Sequence, residues 1–163
     1  AGTFDSRFVW AMPQPIRRGD ELWIYYVGSN QDHDRVIDPA ANGKHLTGIG
    51  RAVLRLDGFV SLDAGYQGGE FTTPPLRFTG NRLELNVATS GGGSIRVELL
   101  DENHHPLPGY SGEDAIRLYG NSVRFPVRWR DTSDVSGLSK QSVRLRVRMQ
   151  DCKLYAFQFT SDD

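Results

Sequence analysis

Strict alternation of apolar and polar residues is the feature of this sequence that most limits its fold. In Ser142–Met149 apolar residues alternate with arginines. In Arg82–Val87 apolar residues alternate with an arginine, a glutamate and an asparagine. Successive side chains of a β-strand point to opposite sides, so each run predicts a strand with one buried face. No long window shows apolar residues at helical spacing. Three further runs alternate in this way: Ser94–Leu99, Ser122–Arg130 and 154–159.

Five half-buried strands require a second layer that covers their apolar sides. The predicted fold is therefore all-β, an antiparallel and jelly-roll-like β-sandwich over residues 58–163. Gly91–Gly93 is predicted to form a turn between two strands, and Gln150–Lys153 a tight hairpin between the last two. The polar stretch Asp101–Asn121 is predicted to cover an edge or one end of the sandwich.

Residues 1–57 are predicted to form a separate region that precedes the sandwich. Glu21–Val27 and Gly48–Leu56 have the composition of strands, and the polar loop Gly28–Lys44 joins them. A single hairpin cannot build its own core. We therefore expect this region either to pack on the sandwich or to belong to a domain whose remainder is absent, and the Ala1 start suggests a trimmed chain.

Composition narrows the classes of partner. The formal net charge of the 163-residue chain is -1, whereas a nucleic-acid-binding domain is usually strongly basic. No apolar run approaches the roughly 20 residues of a membrane span. The single cysteine, Cys152, excludes an intrachain disulfide. We expect neither a nucleic acid nor a membrane as partner, and the oligomeric state is left open.

Aromatic side chains are the first candidates for a binding site, because planar rings stack on the faces of sugars. Trp23 and Tyr25 share one face of their predicted strand, and Tyr66 and Tyr110 lie in predicted loops. Packing between the hairpin and the sandwich is the favoured alternative for the first two. A hydroxyl that ties a loop to the backbone is the alternative for the tyrosines, while Trp129 shares the phase of the predicted core.

Polar candidates lie in the loop after the first predicted strand. Asp32, His33 and Asp34, with His45 nearby, could hydrogen-bond a sugar or hold a divalent cation. Turn formation is the favoured alternative to metal binding, so no metal and no cofactor is predicted. His104 and His105 are interpreted as polar surface residues without a binding role. The arginine faces of the strands are interpreted as solvated outer surfaces rather than anion sites.

Several stretches resemble a known arrangement. Gly19–Gly28 (GDELWIYYVG) and Ile49–Asp63 (IGRAVLRLDGFVSLD) resemble the last blade of a five-bladed β-propeller that runs into a C-terminal sandwich, as in glycoside hydrolase families 32, 43 and 68. The segments that resemble their sandwich are Phe71–Arg77, Gly80–Val87, Ile95–Asp101, Pro106–Ser111 and Val143–Phe159.

The resemblance implies a non-catalytic accessory module of a bacterial, secreted or periplasmic glycosidase. Such a module would stabilise an upstream propeller domain or chain and, as a second role, bind carbohydrate weakly. Catalytic carboxylates of these families come from earlier blades, so no catalytic residue is assigned here. A purely structural or oligomerisation module and an autonomous glycan-active enzyme stay open as alternatives.

Overall fold

The structure is a computed structural model that describes residues 3–33 and 45–161. The predicted all-β class is confirmed, since the described residues form antiparallel sheets and a single turn of 3-10 helix, Ser136–Leu138. The chain divides into two compact units, Ala1–Leu56 and Asp57–Asp163. This boundary falls one residue before the predicted one.

The N-terminal unit contains a four-stranded antiparallel sheet rather than the two-stranded hairpin predicted from the sequence. The longest strands, β3 and β4, pair along their whole length, and β1 and β2 pair with the two halves of β3. The two short strands were missed because runs of three or four residues carry little periodicity. The strands are β1 Phe8–Ala11, β2 Ile16–Arg18, β3 Glu21–Ser29 and β4 Thr47–Arg55.

One face of this sheet is covered by the chain's own N-terminal segment. The Phe4 ring stacks on the Tyr26 ring at 6.1 Å, and the Tyr26 hydroxyl donates to Asp5 Oδ2 at 2.7 Å. A Cβ on Gly48 would lie 3.0 Å from the Phe4 ring, so the glycine gives this ring its place on the sheet. The face that carries Trp23 and Tyr25 is the opposite one.

The C-terminal unit contains a five-stranded antiparallel sheet built around two long strands. β7 and β9 pair from Arg82 opposite Thr160 to Asp101 opposite Val143. β8 pairs with β7, and β5 and β6 pair with the other edge of β9. The strands are β5 Leu62–Ala64, β6 Gly69–Thr72, β7 Arg82–Asp101, β8 Asn121–Pro126 and β9 Val143–Thr160.

Two predicted turns are wrong. Gly91–Gly93 lies inside β7 and Gln150–Lys153 lies inside β9, so four predicted strands are two long ones. The register shifts between Thr89 and Ser94, because four residues of β7 lie opposite Asp151 alone. This irregularity is a β-bulge, and such a bulge bends a pair of strands without ending it.

The alternation predicted for the last run is also corrected. Asn86 pairs with Ala156 but Val87 pairs with Leu154, so Tyr155 is an extra residue in the ladder. A one-residue shift moves every following side chain to the other face. Leu154 therefore shares the core face with Val87 and is buried, although the alternation placed it on the other face. Phe157 and Phe159 keep their predicted face, because they pair with the core residues Leu85 and Leu83.

The core of the C-terminal unit lies on one face of the long strand pair, and segments outside the strands cover it. The stretch between β7 and β8 pairs along β7 through Leu100–Pro106 and Ile95–Leu118 bridges, which confirms the predicted edge cover. Trp129 is 2% exposed, as predicted for a core residue. Its indole N–H donates to the carbonyl of Val97 at 3.0 Å. Covering residues include Phe78, Ala115, Leu118, Val127, Trp129 and Val135.

Candidate functional site

An aromatic face occupies the other side of the sheet in the N-terminal unit. Directly opposed residues of an antiparallel sheet share a face, and so do alternate residues of one strand. Trp10 lies opposite Val27, and Val27 lies opposite Ile49. Trp23 lies between Ile16 and Val53. We use the name aromatic face for Phe8, Trp10, Trp23 and Tyr25 with the neighbours Ile16, Val27, Ile49, Arg51 and Val53.

The aromatic face is most exposed on its two outer strands, β1 and β4. Trp10 is 63% exposed and Ile49 is 73% exposed, although they flank the same residue, Val27. The rings of Phe8 and Trp10 are 6.3 Å apart and tilted by 54°. Exposed apolar side chains that cluster on one face of a sheet are typical of a surface that contacts a ligand or another protein.

The ring of Trp23 is only partly exposed, because two arginine side chains lie over it. The Arg51 guanidinium carbon lies 4.0 Å from the ring centroid of Trp23, and that of Arg18 lies 5.3 Å from it. The indole N–H donates to Glu21 Oε2 at 2.8 Å. These cation–π and hydrogen-bond contacts fix the ring in place. Trp10, which the sequence pattern did not single out, is the more accessible ring.

A polar cleft of about 240 Å³ opens at the end of the aromatic face. Phe8 and Val27 belong to both, so the stacking surface and the polar groups are continuous. This volume is below the roughly 300–1,000 Å³ of pockets for drug-sized ligands, so the cleft suits one small polar unit. Its lining residues are Phe8, Val27, Ser29, Gln31, Asp32, His33, His45 and Thr47.

Hydrogen bonds hold the cleft's polar groups in position. The His45 Nε2 atom lies 3.3 Å from Ser29 Oγ and 3.1 Å from Thr47 Oγ1. Asp32 Oδ2 accepts from Arg7 Nη1 at 3.2 Å, which is an exposed ion pair. The His33 ring packs 5.2 Å from the Phe8 ring. The cleft therefore offers carboxylate, imidazole, amide and hydroxyl groups beside an aromatic ring.

The structure brings four of the seven predicted site residues to this surface: Trp23, Tyr25, Asp32 and His33. Asp34 lies outside the described residues. Phe8 and Trp10 were missed, and their spacing of two residues within the apolar run Phe8–Ala11 (FVWA) was the signal that could have placed them on one face.

Tyr66 and Tyr110 belong to the C-terminal unit. Tyr66 is 80% exposed, and its backbone carbonyl accepts a hydrogen bond from Gln150 Nε2 at 3.1 Å. The Tyr110 hydroxyl donates to the Asp134 carbonyl at 2.8 Å. Its ring meets Trp129 edge-on at 5.1 Å. These contacts agree with the alternative that the Tyr110 hydroxyl fixes a loop by bonding to the backbone.

Neither a metal-binding cluster nor a membrane-spanning helix is found among the described residues. They contain no group of three or more histidine, cysteine, aspartate or glutamate side chains placed to hold a metal ion. Within the same residues, no helix has the length and apolar character needed to cross a membrane. His105 lies in an exposed turn, with its Nδ1 atom 3.0 Å from Asp101 Oδ2.

Comparison with known proteins gives no match: no protein-family model, no curated protein and no solved structure matches the chain. The resemblance to the C-terminal modules of propeller glycosidases therefore stays a prediction.

Proposed function

We propose that this chain is a non-catalytic accessory module of a carbohydrate-active protein, and that its N-terminal unit binds glycan. The observation that supports this proposal is the continuity of an exposed aromatic ring surface with a small polar cleft. A pyranose ring has an apolar C–H face and a rim of hydroxyl groups, so its recognition needs both kinds of surface side by side.

In this proposal Trp10 and Phe8 stack on the sugar ring. Gln31, Asp32 and His45 exchange hydrogen bonds with its hydroxyl groups at the mouth of the cleft. The cleft volume of about 240 Å³ accommodates one sugar unit, and a longer chain continues over the aromatic face. The resemblance adds the context of an upstream propeller and a secreted or periplasmic location.

The test is retention of the whole chain in native affinity gels that contain a panel of neutral and acidic polysaccharides. We expect retardation on at least one polysaccharide and its loss in Trp10→Ala, since stacking on an aromatic ring contributes on the order of 1 kcal/mol or more. Val9→Ala is the matched control, because Val9 is exposed on the same strand but points to the other side of the sheet. Absence of retardation on every polysaccharide would overturn glycan binding.

A structural role is the second candidate, and the exposed aliphatic residues of the aromatic face favour it. Ile16, Ile49 and Val53 are exposed apolar residues that a further layer of β-structure would cover. Sedimentation velocity across a concentration series tests this role. Self-association that Ile49→Asp abolishes, without any retention on polysaccharides, would favour an oligomerisation module over glycan binding.

Autonomous glycosidase activity is the third alternative. Most glycosidases use two carboxyl groups on either side of the scissile bond. Asp32 lines the cleft, and Asp34 lies outside the described residues. Turnover of any glycoside by the isolated chain, lost in Asp32→Asn, would replace the binding proposal with a catalytic one.

A further inference from the structure

Three arginines form a row across the outer face of the sheet in the C-terminal unit. Arg96 on β7 lies directly opposite Arg148 on β9. The antiparallel bridge between Ile95 and Leu118 places Arg117 beside Arg96 on the other side. Arg148 in turn lies opposite Glu70 on β6. We call Arg117, Arg96 and Arg148 the arginine row.

Only one end of the arginine row is neutralised within the part of the chain that the structure describes. Arg148 Nε donates to Glu70 Oε2 at 2.5 Å, and its Nη1 atom lies 3.6 Å from Glu98 Oε2. Glu98 is already bonded to Arg146 Nε at 2.6 Å. Among the same described residues, Arg96 and Arg117 have no ion pair or hydrogen bond from their guanidinium groups.

Like charges directly opposite each other on a sheet are destabilising. The sequence therefore places two cations where folding alone would favour an acid or a neutral residue. Solvation of a flat outer surface is the usual explanation for such residues. Here, in addition, the row borders a shallow, open depression.

The arginine row borders a cavity of about 340 Å³. Ser94 and Gln150, which lie opposite each other one row away, add hydroxyl and amide groups to the lining. The other edge is formed by the end of the turn before β6 and the first two residues of β6, from Gln67 to Glu70. Among the described residues that line the cavity, Glu70 is the only acidic one, against three arginines.

We propose that this cavity is a binding site for an oxyanion, the carboxylate or sulfate group of a small ligand. A guanidinium group offers parallel N–H donors that match two oxygens of such a group, and charge-assisted bonds of this kind are about twice as strong as neutral ones. Arg96 and Arg117 hold the anion, and Arg148 stays with Glu70. The site is separate from the aromatic face and does not depend on glycan binding there.

The experiment titrates the whole chain with four probes and follows backbone amide shifts by NMR. The probes are glucuronate, a monosaccharide sulfate, inorganic sulfate and neutral glucose. We expect the amides around Gln67–Glu70 and Ser94–Arg96 to shift with at least one of the charged probes and not with glucose. The two sugar probes distinguish a carboxylate from a sulfate ligand, and inorganic sulfate shows whether the sugar contributes.

Arg96→Ala and Arg117→Ala are the test variants, and Arg128→Ala is the matched control. Arg128 is another exposed arginine, and it does not line the cavity. Because charged hydrogen bonds are the stronger class, we expect each test variant to bind at least about tenfold more weakly and the control to bind normally. Both test variants should fold, since they remove a like-charge contact.

A second measurement keeps the proposal testable if the affinity is weak. The charged probe should raise the thermal unfolding midpoint of the native chain and of Arg128→Ala, but not that of the Arg96→Ala, Arg117→Ala double variant. Equal increases in all three proteins, or amide shifts spread over other arginines, would overturn the site. Failure of the affinity gels with intact anion binding would overturn the aromatic site alone.

Discussion

The backbone carbonyl of Asp151 lies against Gly93, where the Cβ of any other residue would stand. Asp151 has a φ of 44°, which is the left-handed region, and its side chain accepts a hydrogen bond from Ser90 Oγ. Gly93 is buried, whereas its neighbours Gly91 and Gly92 are exposed. Both strands therefore fix the bulge in the β7–β9 pair: the Asp151 carbonyl packs against Gly93, and Ser90 donates a hydrogen bond to the Asp151 side chain.

Replacement of Gly93 by alanine should destabilise the fold. The added methyl group meets backbone, which cannot move aside as a flexible side chain can, so we expect the free energy of unfolding to fall by about 1–3 kcal/mol. Urea denaturation measures the change. Gly91→Ala is the control, because a Cβ added at Gly91 would meet nothing within 4 Å. Equal losses in the two variants would mean that the clash with the Asp151 carbonyl does not cause the loss of stability.

The same bulge explains how far the fold could be predicted. Alternation is a local property, so it located the apolar faces of Arg82–Val87, Ser94–Leu99 and Ser142–Met149 correctly. Three consecutive glycines usually mark a turn. Whether they end a strand or bulge out of it depends on pairing with a strand that is distant in the sequence, and this pairing is not visible in local sequence.

Glu98 provides a test of buried charge. It is 2% exposed, and its carboxylate accepts from Arg146 Nε at 2.6 Å and from the backbone N–H of Gly112 at 2.8 Å. Burial alone would raise the pKa of this carboxyl, but the bonds to Arg146 and Gly112 and the nearby Arg148 charge outweigh it, so the pKa lies below its usual value. The folded state therefore favours the ionised form.

Glu98→Gln should lower the free energy of unfolding at pH 7 by about 1.5–3 kcal/mol, because bonds to a charged group are replaced by neutral ones. A lowered pKa contributes stability that is present above the unfolded value of about 4.3 and is lost as the pH falls through the folded value. The difference between native chain and variant should thus shrink below about pH 4. Glu113→Gln, at an exposed side chain, is the control, and a pH-independent difference would contradict the proposed ionisation.

The candidate sites were only partly accessible from the sequence. Trp23, Asp32 and His33 were chosen by residue type and loop position, and they do lie on the aromatic face or in the cleft. Trp10 lies on a four-residue strand whose pairing with β3 decides its direction. The arginine row depends on register alone, since its three members come from three separate segments.

The same substitution at two tryptophans should separate core from surface. Trp129→Phe replaces a buried indole with a smaller ring and leaves the carbonyl of Val97 without its indole donor. We expect a loss of about 2–4 kcal/mol in the free energy of unfolding, from the cavity and the unmade hydrogen bond. Trp10→Phe should change stability by less than about 0.5 kcal/mol, as at other exposed positions. Chemical denaturation followed by circular dichroism measures both changes. Similar losses in the two variants would contradict the exposed position of the Trp10 side chain.

Cys152 gives a pH-dependent prediction that a thiol reagent can read directly. The side chain is 4% exposed. Burial, and then the Asp151 and Asp63 carboxylates, raise the pKa of the thiol to about 11. The reactive species is the thiolate, so the folded chain at about pH 8 should react with a disulfide reagent about a hundredfold more slowly than the urea-unfolded chain.

The raised pKa also fixes the sign of an effect on stability. Between the unfolded value of about 8.5 and the folded value of about 11, the unfolded chain has lost the proton that the folded chain keeps. The free energy of unfolding should therefore decrease as the pH rises through this range. Cys152→Ala removes the titrating group and should flatten that decrease, as measured by urea denaturation from about pH 7.5 to 10.5. An identical decrease in the alanine variant would assign the alkaline loss of stability to other groups.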